Sequence, residues 1–165
     1  MEYLQVFNNK KEKLNEKILR RDKNSLPSGK YFMVVLIFIQ NSEEKFLIQK
    51  TSKEKESLMA TTGGHVSYGD DGITTIIKEV KEELGYDLNI NEIEYVDTTS
   101  YPNGLLETYY LKKDIDISKL IIQKEEVEYV DWYTLDEIKE FIKNNEFRKA
   151  NIEPLEKVLK YIDKD

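Results

Sequence analysis

Cysteine is absent from this chain of 165 residues. Disulfide scaffolds, thiolate zinc sites and cysteine nucleophiles are thereby excluded. A reducing, cytoplasmic setting is the expectation. Proline is scarce at three residues, so no Pro-rich linker divides the chain. Histidine occurs once, at His65. No long apolar run is present. The longest, Phe32 to Ile39, falls far short of the ~20 residues that span a bilayer. The first residues, Met1-Glu-Tyr-Leu-Gln-Val-Phe, lack the basic start and apolar stretch of a signal peptide, and no membrane partner is expected. Positive charge is in deficit: 25 Lys and Arg face 32 Asp and Glu, a net charge of −7. Duplex nucleic acid is held by Lys and Arg on phosphates, so it is not the expected partner.

What is present is 39% hydrophobic and 11% aromatic residues, enough for one packed domain. Leu4 and Val6 alternate with polar neighbours as a short strand, and Asn8-Asn9 mark a turn. Residues 10–24 are ambiguous between helix and extended chain. Tyr31 to Gln40 is rich in β-branched and aromatic residues, as a strand buried on both faces. A turn at 41–45 leads to its partner, Phe46 to Lys50. From Gly72 to Leu84 the residues Ile73, Ile76, Ile77, Val80 and Leu84 form one apolar helical stripe. Asp70-Asp71 precede it and Gly85 closes it. Strands are expected at 93–101, 105–112 and 128–133, with a hairpin turn at Pro102-Asn103-Gly104. Thr134, with Glu137 three residues on, caps a helix through Phe141. A last helix runs from Pro154 to Ile162. Strands flanking a central helix, with helices at the end, indicate an α/β layered domain with a mixed sheet.

Glu79, Glu82 and Glu83 stand at i, i+3 and i+4 and crowd three negative charges on one helical face. Such crowding destabilises a helix unless something neutralises it. A hard divalent cation with oxygen ligands does so. The three lie off the apolar stripe, so the stripe anchors the helix while they face a cleft. Gly63-Gly64 allow a close backbone approach, and a carbonyl there is a further candidate ligand.

Gly64, five residues, Asp70, seven residues, Lys78-Glu79-Val80, one residue, Glu82-Glu83, one residue and Gly85-Tyr86 together resemble the Nudix box in every spacing. The opening strand, Phe46-Leu-Ile-Gln-Lys, Thr61-Thr-Gly-Gly-His-Val and Glu126-Val-Glu-Tyr-Val-Asp-Trp132 are similar to the isopentenyl-diphosphate-isomerase-like branch of that superfamily. The resemblance implies a Nudix-type α/β/α sandwich with a mixed β-sheet. It implies one domain over 1–165, with the box at 64–86, an N-terminal strand extension at 1–28 and C-terminal helices at 134–163. It further implies Mg2+ or Mn2+ held by Glu79, Glu82 and Glu83 with the carbonyl of Gly63 or Gly64. Glu82 with Asp70 and Lys78 would form the catalytic set. A carboxylate outside the box would act as base, Glu126 being favoured over Glu125. The implied reaction is water attack on phosphorus in a small diphosphate. His65, Lys50, Tyr101 and Tyr109 are the candidate substrate contacts, with Arg20, Arg21 and Tyr110 behind them.

Two positions depart from the family pattern. Its first Glu is Asp70 here, and its Arg is Lys78. Asp is a methylene shorter, and Lys lacks the two-pronged fork of Arg. An alternative therefore stands beside the hydrolase: a non-catalytic nucleotide or nucleotide-sugar sensor on a weakened site. The isomerase chemistry of the similar branch uses a cysteine, and this chain has none. Each single residue also has a plainer reading. Glutamates can be a solvated face, His65 structural, strand tyrosines packing residues, Trp132 core. Monomer and homodimer are both left open.

Overall fold

The computed structural model describes residues 2–163. Nine strands and three α-helices follow the order β1 (Tyr3–Phe7), β2 (Lys13–Leu19), β3 (Phe32–Gln40), β4 (Phe46–Thr51), β5 (Met59–Ala60), β6 (Thr62–His65), α1 (Gly72–Leu84), β7 (Glu94–Ser100), β8 (Gly104–Lys112), β9 (Val127–Tyr133), α2 (Leu135–Lys143) and α3 (Ile152–Asp163). β1 and β2 form an antiparallel ribbon, and the other seven strands form one mixed sheet. β3 runs parallel to β8 along its whole length, from Phe32↔Gly104 to Gln40↔Lys112. The remaining pairings are antiparallel.

The other edge of β3 is divided. It meets β4 only at the hairpin end, Gln40↔Phe46. Further back it pairs with β6, from Val34↔His65 to Ile37↔Thr62. β4 meanwhile turns to β9 and β5. A cleft opens along this division.

β3 is buried on both faces, as its unbroken apolar run predicts. Met33, Val35, Ile37 and Ile39 pack with Ile76, Val80 and Leu84 of α1. Phe38 faces the opposite way, with Phe46, Ile138, Leu155 and Val158 under α2 and α3. Helices on both faces of the sheet make the α/β/α sandwich expected from the sequence.

Local chemistry sets the helix ends. Asp71 caps α1 by accepting from the Thr74 amide at 2.9 Å. Gly85 takes φ +70°, the left-handed stop that glycine adopts without strain. Thr134 and Glu137 form the capping box of α2, at 3.1 and 2.8 Å. Pro154 lies in the first turn of α3, where its missing amide costs nothing, so the helix begins two residues before it, at Ile152.

The ambiguous residues 10–24 resolve as β2 followed by a short 3-10 turn, Arg20–Ser25. One side of this ribbon is open to solvent, so its apolar positions are few and no period shows. β5 and β6 were not anticipated, because Thr62-Gly-Gly-His is short, polar and glycine-rich.

Ile76 is fully buried at the centre of the α1 stripe. Ile76→Ala is expected to cost about 2–5 kcal/mol in urea unfolding, whereas Thr74→Ala on the exposed face should cost less than about 1 kcal/mol.

Candidate active site

The stripe that buries Ile76, Val80 and Leu84 turns the neighbouring glutamates toward β6 and β4. Glu83 is buried, Glu79 half-buried and Glu82 exposed. The approach between α1 and β6 is very close. A Cβ at Gly64 would lie 2.5 Å from the Glu79 carboxyl carbon. At Gly63 it would lie 2.3 Å from the Val35 carbonyl oxygen. At Gly63 backbone forbids any side chain, and at Gly64 a side chain would have to push the Glu79 carboxyl group aside.

Glu83 is held from the β4 side. The Gln49 amide donates to Glu83 Oε1 at 2.9 Å, and the Thr62 hydroxyl donates to Gln49 Oε1 at 2.7 Å. Thr62, Gln49 and Glu83 thus form one oriented chain through the floor of the cleft. Glu79 and Glu83 also hydrogen-bond one another. Burial raises the pKa of both carboxyl groups. For Glu79 the bond to Glu83 and the charges of Glu83, Glu82 and Glu126 push further upward. For Glu83 the Glu79 and Gln49 bonds offset part of the rise. Both carboxyl groups are thus held above the ordinary carboxylate range by burial and by each other.

Among the described residues, no group of three or more acidic, histidine or cysteine side chains converges as a metal-holding cluster. Glu79 and Glu83 face each other, and Glu82 lies toward solvent. The donor set still suits a hard cation. The oxygens are carboxylate and backbone carbonyl, and the negative charge is only partly balanced.

The cleft above these groups encloses about 720 Å³. Glu126 enters it from the segment before β9, paired with Lys55 at 3.2 Å. Arg148 stands on the wall before α3, with its Nε 3.6 Å from Glu56 Oε2 and lacking a hydrogen bond. Its charge lowers the pKa of Glu83.

The candidate residues divide by position. Glu79, Glu82, Glu83 and Glu126 line the cleft, as do Gly63, Gly64, His65 and Tyr101. Asp70 and Lys78 lie outside it but form an ion pair at 3.0 Å, so the shorter acid and the unforked base still meet. Lys50 is not brought to the cleft. Its neighbour Gln49 points in, and strand alternation sends Lys50 to the opposite face, opposite Tyr129 and Met59. Tyr109 is also elsewhere. It is buried beneath the start of α1 and donates to Glu107. Tyr110 packs under α3 with its hydroxyl on Gln40. Arg20 reaches the cleft, whereas Arg21 and Glu125 do not line it. Trp132 packs beside the α1 core, its indole donating to the Ile115 carbonyl at 3.2 Å.

Sequence reasoning missed Gln49, Lys23, Phe32, Lys55 and Arg148, all of which line the cleft. Gln49 was the one within reach, since period-two alternation places it opposite Lys50. The others come from segments whose spacing carries no signal.

A mixed sheet between helices, with an acidic helix beside a divided strand edge, defines a Nudix-type α/β/α sandwich. The model of the NUDIX domain matches residues 30–155, and the chain belongs to that family. It is 27% identical over 151 residues to an uncharacterised Nudix hydrolase of Listeria innocua, covering 89% of this chain and 88% of that protein. Nudix hydrolase 19, chloroplastic, of Arabidopsis thaliana is 22% identical over 126 residues, 72% of this chain and 28% of its own. Among solved structures, a Deinococcus radiodurans protein superposes with TM-score 0.73 at 22% identity, covering 93% of this chain and 96% of that one. A Caenorhabditis elegans Ap4A hydrolase superposes at 0.59 with 17% identity, covering 80% and 99%. These likenesses establish the fold.

The raised carboxyl pKa values carry a stability consequence. A carboxyl whose folded pKa lies above its ordinary 4.5 stabilises the fold below that pH and loses the contribution as pH rises through the folded value. Glu79→Gln cannot ionise. In a chelator, it should exceed wild type at pH 8 by on the order of 1 kcal/mol, allowing for partial solvent access. The difference should shrink toward pH 5. Thermal unfolding at the two pH values measures it, and an advantage growing toward acid would contradict the assignment.

Proposed function

We propose that this chain is a divalent-cation-dependent hydrolase of a diphosphate linkage in a nucleoside di- or triphosphate, or a related nucleoside-diphosphate-linked small molecule. One observation carries the reading. Glu83, buried, and Glu79, half-buried, lie side by side against Gly64 in a cleft that Arg148 and Lys55 also line. Acids on the floor and bases on the wall suit a cation and a diphosphate stacked between them. The family and its hydrolase relatives support the same reaction class.

Glu79, Glu82 and Glu83, with the Gly64 carbonyl, would hold Mg2+ or Mn2+. When bound, the cation supplies charge neutralisation at the diphosphate and Lewis acidity at phosphorus. Gln49 and Thr62 fix the direction of Glu83, and the Asp70–Lys78 pair braces the first turns of α1. Arg148 and Lys55 bind the outer phosphate oxygens. Glu126 takes the proton from the attacking water. The water oxygen bonds to phosphorus as the P–O bond to the bridging oxygen breaks. The leaving phosphate carries off the electron pair.

A nucleotide panel with Mg2+ tests this by phosphate and pyrophosphate release. Glu82→Gln and Glu83→Gln should abolish turnover. Glu126→Gln should lower kcat by roughly 10²–10⁴-fold, as for loss of a general base. Tight nucleotide binding without turnover in wild type would instead establish the non-catalytic sensor.

Gln49→Leu is a second test, of the support beneath Glu83. It should weaken Mn2+ activation by roughly 10–100-fold, the usual cost of losing a ligand's outer hydrogen bond. The effect belongs in the metal titration midpoint more than in substrate KM.

A further inference from the structure

The family-matched segment begins at residue 30. The cleft does not. Glu2, Arg20 and Lys23 also line it, the first just before the ribbon and the other two from the turn after it. The ribbon is firmly docked. Leu4, Val6 and Phe7 are buried. Gln5 donates its amide to the Val66 carbonyl at 3.1 Å, and Phe7 and Tyr31 exchange backbone bonds at 2.8 and 2.9 Å. Past the turn, Asn103 donates to the Leu26 carbonyl at 2.7 Å. Lys23 therefore has a fixed place in the wall.

Its surroundings are specific. Lys23 Nζ lies 2.8 Å from His65 Nε2 and 4.9 Å from the centre of the Phe32 ring. Phe32 and His65 are stacked, with centroids 5.8 Å apart and planes at 26°. Phe32 lies against Gly104, its register partner on β8. A Cβ at Gly104 would come within 2.8 Å of the ring. The absent side chain leaves room for the tip of the ring. The Lys23 ammonium group has only N–H donors to offer His65. His65 Nε2 thus accepts from Lys23. Among the described residues Lys23 makes no carboxylate ion pair, whereas its neighbour Arg20 is engaged by Glu2 at 3.1 Å. Burial and Arg20 lower the Lys23 pKa. A half-buried ammonium with spare N–H groups, beside two stacked rings, asks for an acceptor on a planar partner. A second phosphate fits less well, since the basic groups beside the acidic residues are Lys55, paired with Glu126, and Arg148, whose charge acts on Glu83.

We propose that Phe32 and His65 form a stacking platform for the nucleobase of the substrate, and that Lys23 reads a carbonyl oxygen on that base. The site would then favour uracil, guanine and cytosine over adenine, which has no carbonyl. The proposal rests on the nucleotide-hydrolase reading and names its substrate class. A cleft of about 720 Å³ has room for a nucleoside diphosphate.

The experiment measures kcat/KM for UDP, GDP, CDP, ADP and inorganic pyrophosphate with Mg2+. In parallel, calorimetry follows UMP and AMP binding without metal. Wild type should prefer carbonyl-bearing bases over ADP by roughly 10–100-fold, the size of one hydrogen bond to a charged donor. Lys23→Met should bring those substrates down to the level of ADP, and Lys23→Arg should restore part of the preference. Equal loss on every nucleotide and on pyrophosphate would make Lys23 a phosphate contact and overturn the proposal. So would a wild-type preference for ADP, or a preference untouched by Lys23→Met. If no nucleotide turns over yet UMP outbinds AMP in a Lys23-dependent way, the platform stands and the hydrolase reading falls.

Discussion

Two carboxyl groups one helical turn apart lie beneath this cleft with more negative charge than the surrounding chain cancels. Glu79 and Glu83 belong in water by their own chemistry, since a buried carboxylate without a cation is costly. They are kept out of it by forces acting on the rest of α1. Ile76, Val80 and Leu84 are essentially removed from solvent and pin the helix to the sheet. Asp71 and Gly85 fix its ends, so the helix cannot slide to relieve the repulsion. Gly64 leaves room for the Glu79 carboxyl group against the β6 backbone, where a Cβ would push it aside. Gln49 then takes the one remaining direction in which Glu83 could turn. The apolar stripe supplies the stability, and the acidic edge uses it.

The same physics decides how much of the molecule was legible in its sequence. β3, α1 and the capping box of α2 announce themselves, because periodicity and cap chemistry act within a few residues. The acidic trio was legible for the same reason. Lys50 and Tyr109 were not, because strand alternation fixes only which residues share a face, not which face meets a cleft. Lys50 lost to Gln49 by one position. Tyr109 lost to the core beneath α1, where Glu107 takes its hydroxyl. Arg148 and Lys23 lay beyond any local rule. They reach the cleft through the docking of a helix and a ribbon, and tertiary packing leaves no period in the sequence.

The cleft is consequently assembled from parts of different origin, and one buried residue keeps them in register. Glu107 of β8 pairs with Lys11 at the tip of the ribbon at 3.6 Å. Its Oε1 also crowds the start of α1, where a Cβ at Gly72 would lie only 1.9 Å away. Lys11 reaches on to the Tyr95 and Thr98 hydroxyls at 3.1 and 3.2 Å. Ribbon, helix and sheet edge are thus referenced to one strand. β8 in turn runs parallel to β3 in unbroken register, and the far end of that pairing seats Phe32 on Gly104. The helix that carries the acids and the wall that carries Lys23 are measured from the same two strands. A shift of the ribbon would therefore be resisted at two points in the first half of β8. The distance between the acids and the aromatic pair is set by the sheet, the stiffest element available, and not by the loops that carry the cations.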